Sequence, residues 1–378
     1  MSEATRGARR RWAIVAAGVA VLLLVPVLVA YWPVRAAADL NPAALRDRMV
    51  RSGGVAYTGY AESHGTLALP DLPQTGDLSA LLGETTKLRA WYAGPDRWRV
   101  DQVQATGEVG TYVGEDHFWS WDYERDQLTV SHDEPPVRLP RAADLLPPDL
   151  ARRLLRGLAP DDRLESAPAR RVAGIAAAGL RVTPADPAGT VGRLEVWADP
   201  RTGLPVELAV TPRGYDVPVL RAQFLDLELG PPSPAALARP DAPGADFSLA
   251  SQRDLVSRVN EFAPFDLPAE LAGYPRNQPV RELAEVRGVA TYRRGLAAFT
   301  VVPLPPGVAG QFRSSLEEEG GQLELSGAPA ASAGTPLVNA LVTVAPRGNG
   351  WLVAGTVDLA VLERAGAALL ANPPTVRR

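Results

Sequence analysis

The feature that most constrains the fold is a series of short segments in which polar and apolar side chains alternate. Only a few residues, such as Gly94-Pro95, separate each segment from the next. Breaks this short are typical of strands that pair with their neighbours in antiparallel order, whereas parallel strands need long crossover connections. The sequence therefore predicts an antiparallel meander with strands near residues 87–93, 96–104, 108–113, 117–123 and 127–131.

One of these segments is unusually aromatic. Residues 116–130 read "DHFWSWDYERDQLTV", and strand alternation places Trp119, Trp121 and Tyr123 on one face. A packed core, a platform on which bases stack, and an apolar wall for a lipid would each use such a face. Base stacking needs basic surroundings, and residues 116–134 are acidic, so no nucleic-acid partner is predicted. Core packing and a cavity wall both remain open.

Helical patterns interrupt the strands at two places. Residues 41–52 begin with Asn41 and Pro42, and residues 141–157 carry leucines at helical spacing. Strands resume after the second helix, and alternation places Leu225 and Leu227 on one face of the last strand. The resumed strands are predicted at 178–183, 191–199, 204–212 and 217–229. Together with the meander they are predicted to form a first domain over residues 40–230.

A proline-rich stretch divides the chain. Residues 231–246 hold five prolines and are predicted to be a semi-stiff linker. Residues 247–372 then predict a smaller α+β domain. Its expected elements are a helix over 251–262, a hairpin that turns at 348–350, a loop over 325–336, and a last helix over 358–370.

The N-terminus predicts a membrane anchor. An uncharged run from Ala13 to Ala30 follows four arginines, and as a helix it would extend about 27 Å, close to the thickness of a bilayer's hydrocarbon core. We therefore expect a cytoplasmic tail over 1–11, a single transmembrane helix over 12–33 and an extracytoplasmic remainder. The alternative is a signal peptide cleaved near the alanines at 36–38. Both interpretations export the rest of the chain.

Composition and motifs argue against several functions. The chain has no cysteine, which excludes disulfides and thiol catalysis, and its net charge of −4 is slight. We find no phosphate-binding, dinucleotide-binding, zinc-protease or nucleophile-elbow motif. His117 and His132 lie beside acidic residues, but solvated strand ends explain them equally well. No enzymatic activity, cofactor or metal site is predicted.

Three segments in order resemble signatures of a known family. "DRWRVD" at 96–101, "YVGEDHFWSWDYERDQLTV" at 112–130 and "LEVWADPRTGLPVELAV" at 194–210 are similar to motifs of the bacterial lipoprotein carrier LolA and its RseB/MucB-type relatives. Further on, "PFDLPAELAGYP" at 264–275 and "ATYRRGLAAFTVVPL" at 290–304 are similar to the small second domain of RseB/MucB-type proteins.

The resemblance implies an α+β fold in which an incomplete antiparallel β-barrel with a helical cover precedes a smaller domain. It also implies an apolar cavity that holds lipid or lipoprotein acyl chains. On that basis the expected function is a membrane-anchored binding protein, and the alternative is an envelope-stress regulator that binds an anti-sigma factor or another membrane protein. The candidate cavity-lining residues are Trp91, Trp98, Trp119, Trp121, Tyr123, Leu225 and Leu227.

Overall fold

The computed structural model describes residues 40–69, 76–114, 117–131, 140–238, 246–249, 263, 265–277, 288–345, 350–372 and 375–376. No helix within these ranges is long and apolar enough to cross a membrane. The predicted tail and anchor, residues 1–33, and the predicted helix over 251–262 lie outside the described residues. The anchor therefore stays a prediction.

A twelve-stranded sheet dominates the structure. It contains eleven antiparallel strands and a twelfth, β12, that pairs in parallel with β6 at one edge. The strands run in the order β12-β6-β5-β4-β3-β2-β1-β11-β10-β9-β8-β7, so the sheet stays open. They are β1 (Tyr57–Gly65), β2 (Thr85–Gly94), β3 (Arg97–Val103), β4 (Glu108–Val113), β5 (Phe118–Asp122), β6 (Gln127–Ser131), β7 (Arg163–Val172), β8 (Ile175–Thr183), β9 (Val191–Ala198), β10 (Pro205–Pro212), β11 (Leu220–Leu229) and β12 (Asp246–Leu249).

The predicted meander is confirmed for β2 to β6, each of which pairs with the next strand along the chain. Sequence patterning did not find β7. Its residues read "RLESAPARRV", which is largely polar, and its register with β8 shifts between Ala167 and Arg170. Pro168, which has no amide N–H for the ladder, lies in this interval. The irregularity breaks the alternation that identifies a strand.

Short helices cover one face of the sheet. They are α1 (Pro42–Arg51), α2 (Gly76–Gly83) and α3 (Pro147–Arg156), and a 3₁₀ turn over Ala142–Leu145 precedes α3. Asn41 caps α1, since its side chain accepts a hydrogen bond of 2.9 Å from the Ala43 amide. The single helix predicted over 141–157 is divided at Leu146, which is extended (ψ 133°). A residue before proline is disfavoured in the helical region, and Pro147 follows.

The helical cover is held by a continuous apolar core. Leu45 and Met49 of α1 and Leu155 of α3 are buried in one cluster with side chains of β8 to β11, among them Leu180 and Leu208. Each of these five side chains is almost completely removed from water, which stabilises the fold by about 1.5–3 kcal/mol per side chain. Packing on this scale fixes α1 and α3 against the sheet.

A smaller six-stranded sheet follows, with strand order β16-β17-β21-β20-β19-β18. Short strands precede it, α4 lies between β17 and β18, and α5 is followed by a two-residue strand, β22, that pairs with β13. The predicted loop over 325–336 is wrong, because β19 occupies most of it and pairs with both β18 and β20. The elements are β13 (Phe265–Asp266), β14 (Glu270–Leu271), β15 (Tyr274–Pro275), β16 (Ala290–Arg294), β17 (Ala297–Leu304), α4 (Pro306–Glu319), β18 (Gly321–Leu325), β19 (Ala328–Gly334), β20 (Asn339–Val344), β21 (Gly350–Gly355), α5 (Leu359–Ala371) and β22 (Thr375–Val376).

The two sheets are in direct contact. The Arg293 guanidinium donates a hydrogen bond of 2.6 Å to the Gly157 carbonyl at the end of α3. The Thr190 hydroxyl donates one of 2.6 Å to the Leu337 carbonyl, and Gly189 forms a β-bridge with Val357. Leu296 and Leu337 also belong to the core beneath α1 and α3. The second unit therefore supports the helical cover of the first.

Candidate functional site

Strand alternation divides the side chains of β2 to β6 between two faces. The face toward the helical cover, called here the inner face, carries Tyr92 and Trp98, which are directly opposite each other on β2 and β3. The other face, called the outer face, carries Trp91 opposite Arg99, Arg99 opposite Tyr112, and Tyr112 opposite Trp119. The predicted site residues are thus distributed over both faces.

The aromatic strand points Trp119, Trp121 and Tyr123 outward, whereas Phe118 lies on the inner face. Trp121 is buried in a cluster with Tyr112, Leu128 and Val130, and Trp119 packs against the same cluster. Tyr123 lies edge-on to Trp121, with ring centroids 5.4 Å apart, and 45% of it is exposed. Core packing accounts for these contacts. A ligand-binding role of Trp119, Trp121 and Tyr123 stays a prediction.

Trp91 belongs to a separate arrangement on the same outer face. The Arg99 guanidinium lies 4.7 Å from the Trp91 ring centroid and 4.8 Å from that of Tyr112. It also donates hydrogen bonds of 2.8 and 2.5 Å to the two carboxylate oxygens of Asp101, which is buried. This is a cation held between two rings and a forked ion pair. Of Trp98 and Arg99, the Trp/Arg pair in the "DRWRVD" segment, Arg99 therefore makes its contacts on the outer face, whereas Trp98 lies on the inner face.

Leu225 and Leu227 lie on different faces, because a β-bulge interrupts the predicted alternation. Leu227 is opposite Gly59 of β1, but the register shifts after Tyr60, so that Phe224 is opposite Ala61. Leu225 is the additional residue and is 47% exposed, whereas Phe224 is buried and contacts the Tyr57 ring. Leu227 packs against the inner-face core. Of the seven predicted site residues, Trp98 and Leu227 lie on the inner face.

A cavity of about 260 Å³ lies between the inner face and the segment from Arg141 to Arg156. Tyr57, Tyr92, Trp98, Val100 and Leu146 give it an apolar floor. Its rim is charged and contains four arginines and two aspartates: Arg141, Arg152, Arg153, Arg156, Asp144 and Asp149. The predicted cavity was entirely apolar. The observed one is amphipathic, because Arg152 of α3 is buried beside it while Arg153 and Arg156 lie at its rim.

A second cavity of about 420 Å³ adjoins the first along the inner face of β3 to β6. Its lining is mostly polar on the strand side and includes Gln102, Thr111, Ser120 and Thr129. Val100, Arg141 and Ala143 line both cavities. The inner face therefore changes from aromatic near α3 to polar near β6.

Ion pairs organise the rim of the first cavity. Asp144 accepts a hydrogen bond of 2.8 Å from the Arg153 guanidinium and another of 2.8 Å from the Arg141 amide. Asp149 accepts a hydrogen bond from Arg152 one turn further along α3. Burial raises the pKa of the Asp149 carboxyl above its ordinary value, and the charge of Arg152 opposes that rise. The rim thus carries more cationic than anionic side chains.

The "W.D..TGLP" motif forms the turn between β9 and β10. The Asp199 carboxylate accepts hydrogen bonds from the Thr202 hydroxyl at 2.8 Å and the Arg201 amide at 3.1 Å. Gly203 has φ +77°, and a Cβ there would lie 2.5 Å from the Arg48 carbonyl oxygen of α1. Only glycine fits this conformation and approach. The motif therefore holds α1 against the sheet and does not line the cavity.

Sequence reasoning missed Tyr57, Tyr92 and Arg152, which are central to the cavity. Tyr57 and Tyr92 stack with centroids 5.1 Å apart, although 35 positions separate them in sequence. Arg152 is 4% exposed, while most arginines of α3 project toward solvent or the rim. The leucine periodicity of 141–157 gave no signal that one arginine points inward.

Within the described residues no group of three or more histidine, aspartate or glutamate side chains is arranged to hold a metal ion. His132, one of the two histidines beside acidic residues, lies outside the described ranges. His117 stacks on Trp119 with ring centroids 5.5 Å apart, which is a packing contact on the outer face.

The fold is an open and mostly antiparallel sheet with short helices over one face, followed by a smaller sheet with two helices, and belongs to the α+β class. No family model matches the chain, and no curated protein matches it. Among solved structures it is similar to MucB in the MucA/MucB complex of Pseudomonas aeruginosa, with 18% identity, a TM-score of 0.49, and coverage of 86% of this chain and 97% of that one.

Other solved structures show weaker similarity. A second MucB structure, in complex with MucA(peri), has 18% identity and a TM-score of 0.48 over 86% of this chain and 97% of that chain. A LolA superfamily protein from Nitrosomonas europaea has 12% identity and a TM-score of 0.23 over 53% of this chain and 99% of that chain. These structures come from the two groups that the sequence motifs resemble.

Proposed function

We propose that the chain is a membrane-anchored, extracytoplasmic binding protein that holds a lipid or a lipoprotein acyl chain between α3 and the inner face of the sheet. The observation that carries this proposal is the cavity above Tyr57, Tyr92 and Trp98. An aromatic floor suits an acyl chain, since each buried CH₂ group contributes about 0.8 kcal/mol without requiring specific chemistry. The N-terminal apolar run would keep the cavity at the membrane surface.

The adjoining polar cavity supports the same proposal. A lipid has an apolar tail and a polar head, and the inner face offers an aromatic region beside one lined by Gln102, Thr111 and Ser120. The charged side chains of the rim add further polar groups along α3. A ligand with both kinds of surface would match the two regions, whereas a wholly apolar ligand would leave polar groups buried without partners.

The proposal is tested by what the protein carries and takes up. The full chain, purified from its host and extracted with organic solvent, should yield stoichiometric lipid by mass spectrometry. After delipidation it should bind a fluorescent acyl probe. Absence of both co-purifying lipid and probe binding would refute the proposal.

Two tryptophans provide a matched pair for this test. Trp98 lines the cavity, Trp119 packs on the outer face, and both are half-buried. We expect Trp98→Ala to weaken probe binding about tenfold or more, because it removes part of the apolar wall. Trp119→Ala should leave binding unchanged. Weakening by Trp119→Ala with no effect of Trp98→Ala would move the site to the outer face.

The second candidate function is a regulator that binds the extracytoplasmic part of an anti-sigma factor. The observation that favours it is the edge of the smaller sheet. Among the described residues β18 pairs with β19 only, and its Gln322 and Glu324 are exposed. An extended segment of a partner can add to such an edge by main-chain hydrogen bonds.

A photo-crosslinking side chain at Gln322 would test this second function in host membranes. We expect a specific crosslink to a membrane protein, identified by mass spectrometry. The same group at Val217, which is 71% exposed in a loop of the first sheet, serves as the control. Identical crosslinks from both positions would argue against an edge-binding partner.

A further inference from the structure

Two residues that line the first cavity each carry a buried polar atom without a hydrogen-bond partner among the described residues. One is the Tyr57 hydroxyl, on a side chain that is 0% exposed, and the other is Nη1 of Arg152, on a side chain that is 4% exposed. Burying a donor without a partner is costly, and the cost is greater for a charged donor. Two such donors at one cavity require a common explanation.

Each donor is fixed in place by its neighbours. The Tyr57 ring is held between Tyr92, stacked at 5.1 Å, and Phe224, edge-on at 5.5 Å. The Arg152 guanidinium uses Nη2 to donate to Asp149, and its Cζ lies 5.9 Å from the Tyr92 ring centroid. Nη1 of this cavity-lining residue is therefore left without a partner among the described residues while the rest of the group is anchored. A preorganised donor pair of this kind loses little entropy when it binds an acceptor.

The surrounding charge selects the type of acceptor. Arg141, Arg153 and Arg156 also line this cavity, and the two aspartates there already accept hydrogen bonds from arginines. Burial raises the pKa of Tyr57 well above its ordinary value, with a further contribution from Asp149, so its hydroxyl stays protonated and donates. Donors in a cationic, half-apolar setting favour an anionic oxygen.

We propose that Nη1 of Arg152 and the Tyr57 hydroxyl bind an anionic oxygen, of a carboxylate or a phosphate, belonging to a ligand whose apolar part lies on the aromatic floor. This subsite rests on the proposed function and narrows the ligand class to acidic amphiphiles. Arg153 and Arg156, on the last turn of α3, would attract the acidic group toward the cavity.

A pair of probes that differ only in the head group tests the subsite. The full chain in phosphatidylcholine nanodiscs is titrated at pH 8 with a fluorescent fatty acid and with the corresponding fatty alcohol. Wild type should bind the acid about tenfold or more tightly than the alcohol, since hydrogen bonds to charged groups are the strong ones. Tyr57→Phe should weaken acid binding about tenfold and alcohol binding by much less, so that the preference for the acid falls.

Tyr57→Phe also has a stability readout. It removes an unpartnered buried hydroxyl and keeps the ring, so the ligand-free protein should keep or raise its melting temperature. A second variant, Arg152→Gln with Asp149→Asn, replaces the charged guanidinium with a shorter neutral amide and leaves no carboxylate unpaired. It should show the same selective loss of acid binding. If a variant weakens the binding of both probes equally, the anionic subsite is overturned, but the proposal that the protein binds lipid is not.

Inorganic phosphate distinguishes a head group from a free anion. If millimolar phosphate raises the melting temperature of wild type but not of Tyr57→Phe, the subsite also accepts a free anion. If phosphate has no effect while the fatty acid is preferred over the alcohol, the acidic group must be attached to an acyl chain. If wild type binds neither probe, the proposed function is refuted. If, in addition, phosphate does not change the melting temperature of wild type, the anionic subsite is overturned as well.

Discussion

Trp197→Ala is expected to lower the free energy of unfolding by about 3–5 kcal/mol. Trp197 is 1% exposed, and its indole N–H donates a hydrogen bond of 3.0 Å to the Pro168 carbonyl. The Arg170 guanidinium lies 3.4 Å from its ring centroid. Truncation therefore leaves a large cavity, removes the donor to the Pro168 carbonyl, and frees an arginine that had packed on the ring.

Urea denaturation followed by far-UV circular dichroism measures the effect. Tyr215→Ala is a matched control, because it also truncates an aromatic side chain but 54% of Tyr215 is exposed. The control should change stability by about 0.5 kcal/mol or less. A loss below about 1.5 kcal/mol for Trp197→Ala would show that the surrounding strands collapse into the vacated space, and would contradict the central packing role assigned to the motif tryptophan.

Replacing both Arg170 and Arg221 with alanine should lower the free energy of unfolding by about 3–5 kcal/mol. Glu207 is 1% exposed and accepts hydrogen bonds from Arg170 Nη1 at 2.8 Å and from Arg221 Nε at 2.9 Å. Without the two guanidinium groups its carboxylate would be buried with no cation beside it. Each single variant should cost less, since one arginine remains.

Adding Glu207→Gln to the double variant separates charge from packing. The amide carries no charge, so most of the lost stability should return, although the stacking of Arg170 on Trp197 stays absent. The same urea titration is applied to wild type, the two single variants, the double variant and the triple variant. A triple variant as unstable as the double one would mean that the arginine stems, rather than their charges, hold this part of the sheet.

Local patterns were sufficient for most of the strands. Alternation and turn residues such as Gly94-Pro95 predicted β2 to β6, because neighbouring strands of a meander pair through contacts that are close in sequence. They failed at β7, where Pro168 and polar residues disturb the pattern, and at β19, whose small residues "APAASAG" resemble a loop. In both cases pairing with neighbouring strands outweighs weak local preference.

The site was harder to predict than the fold. Alternation correctly grouped Trp119, Trp121 and Tyr123 on one face, but gave no information on whether helices would cover that face. At Leu225 a single bulge reversed the expected orientation. A bulge depends on how two particular strands pair, and β1 and β11 are far apart in the chain.

The sequence by itself determined the strands of the meander, a helix near 41–52 and the grouping of Trp119, Trp121 and Tyr123 on one face, since each follows from backbone preference and short-range periodicity. Only the tertiary structure decided that α3 lies over Tyr57, Tyr92 and Trp98, and that Arg152 points inward to an acidic partner. The reason is physical: burial of a helix against a sheet depends on contacts between residues about a hundred positions apart, and no local pattern encodes which of two faces provides them.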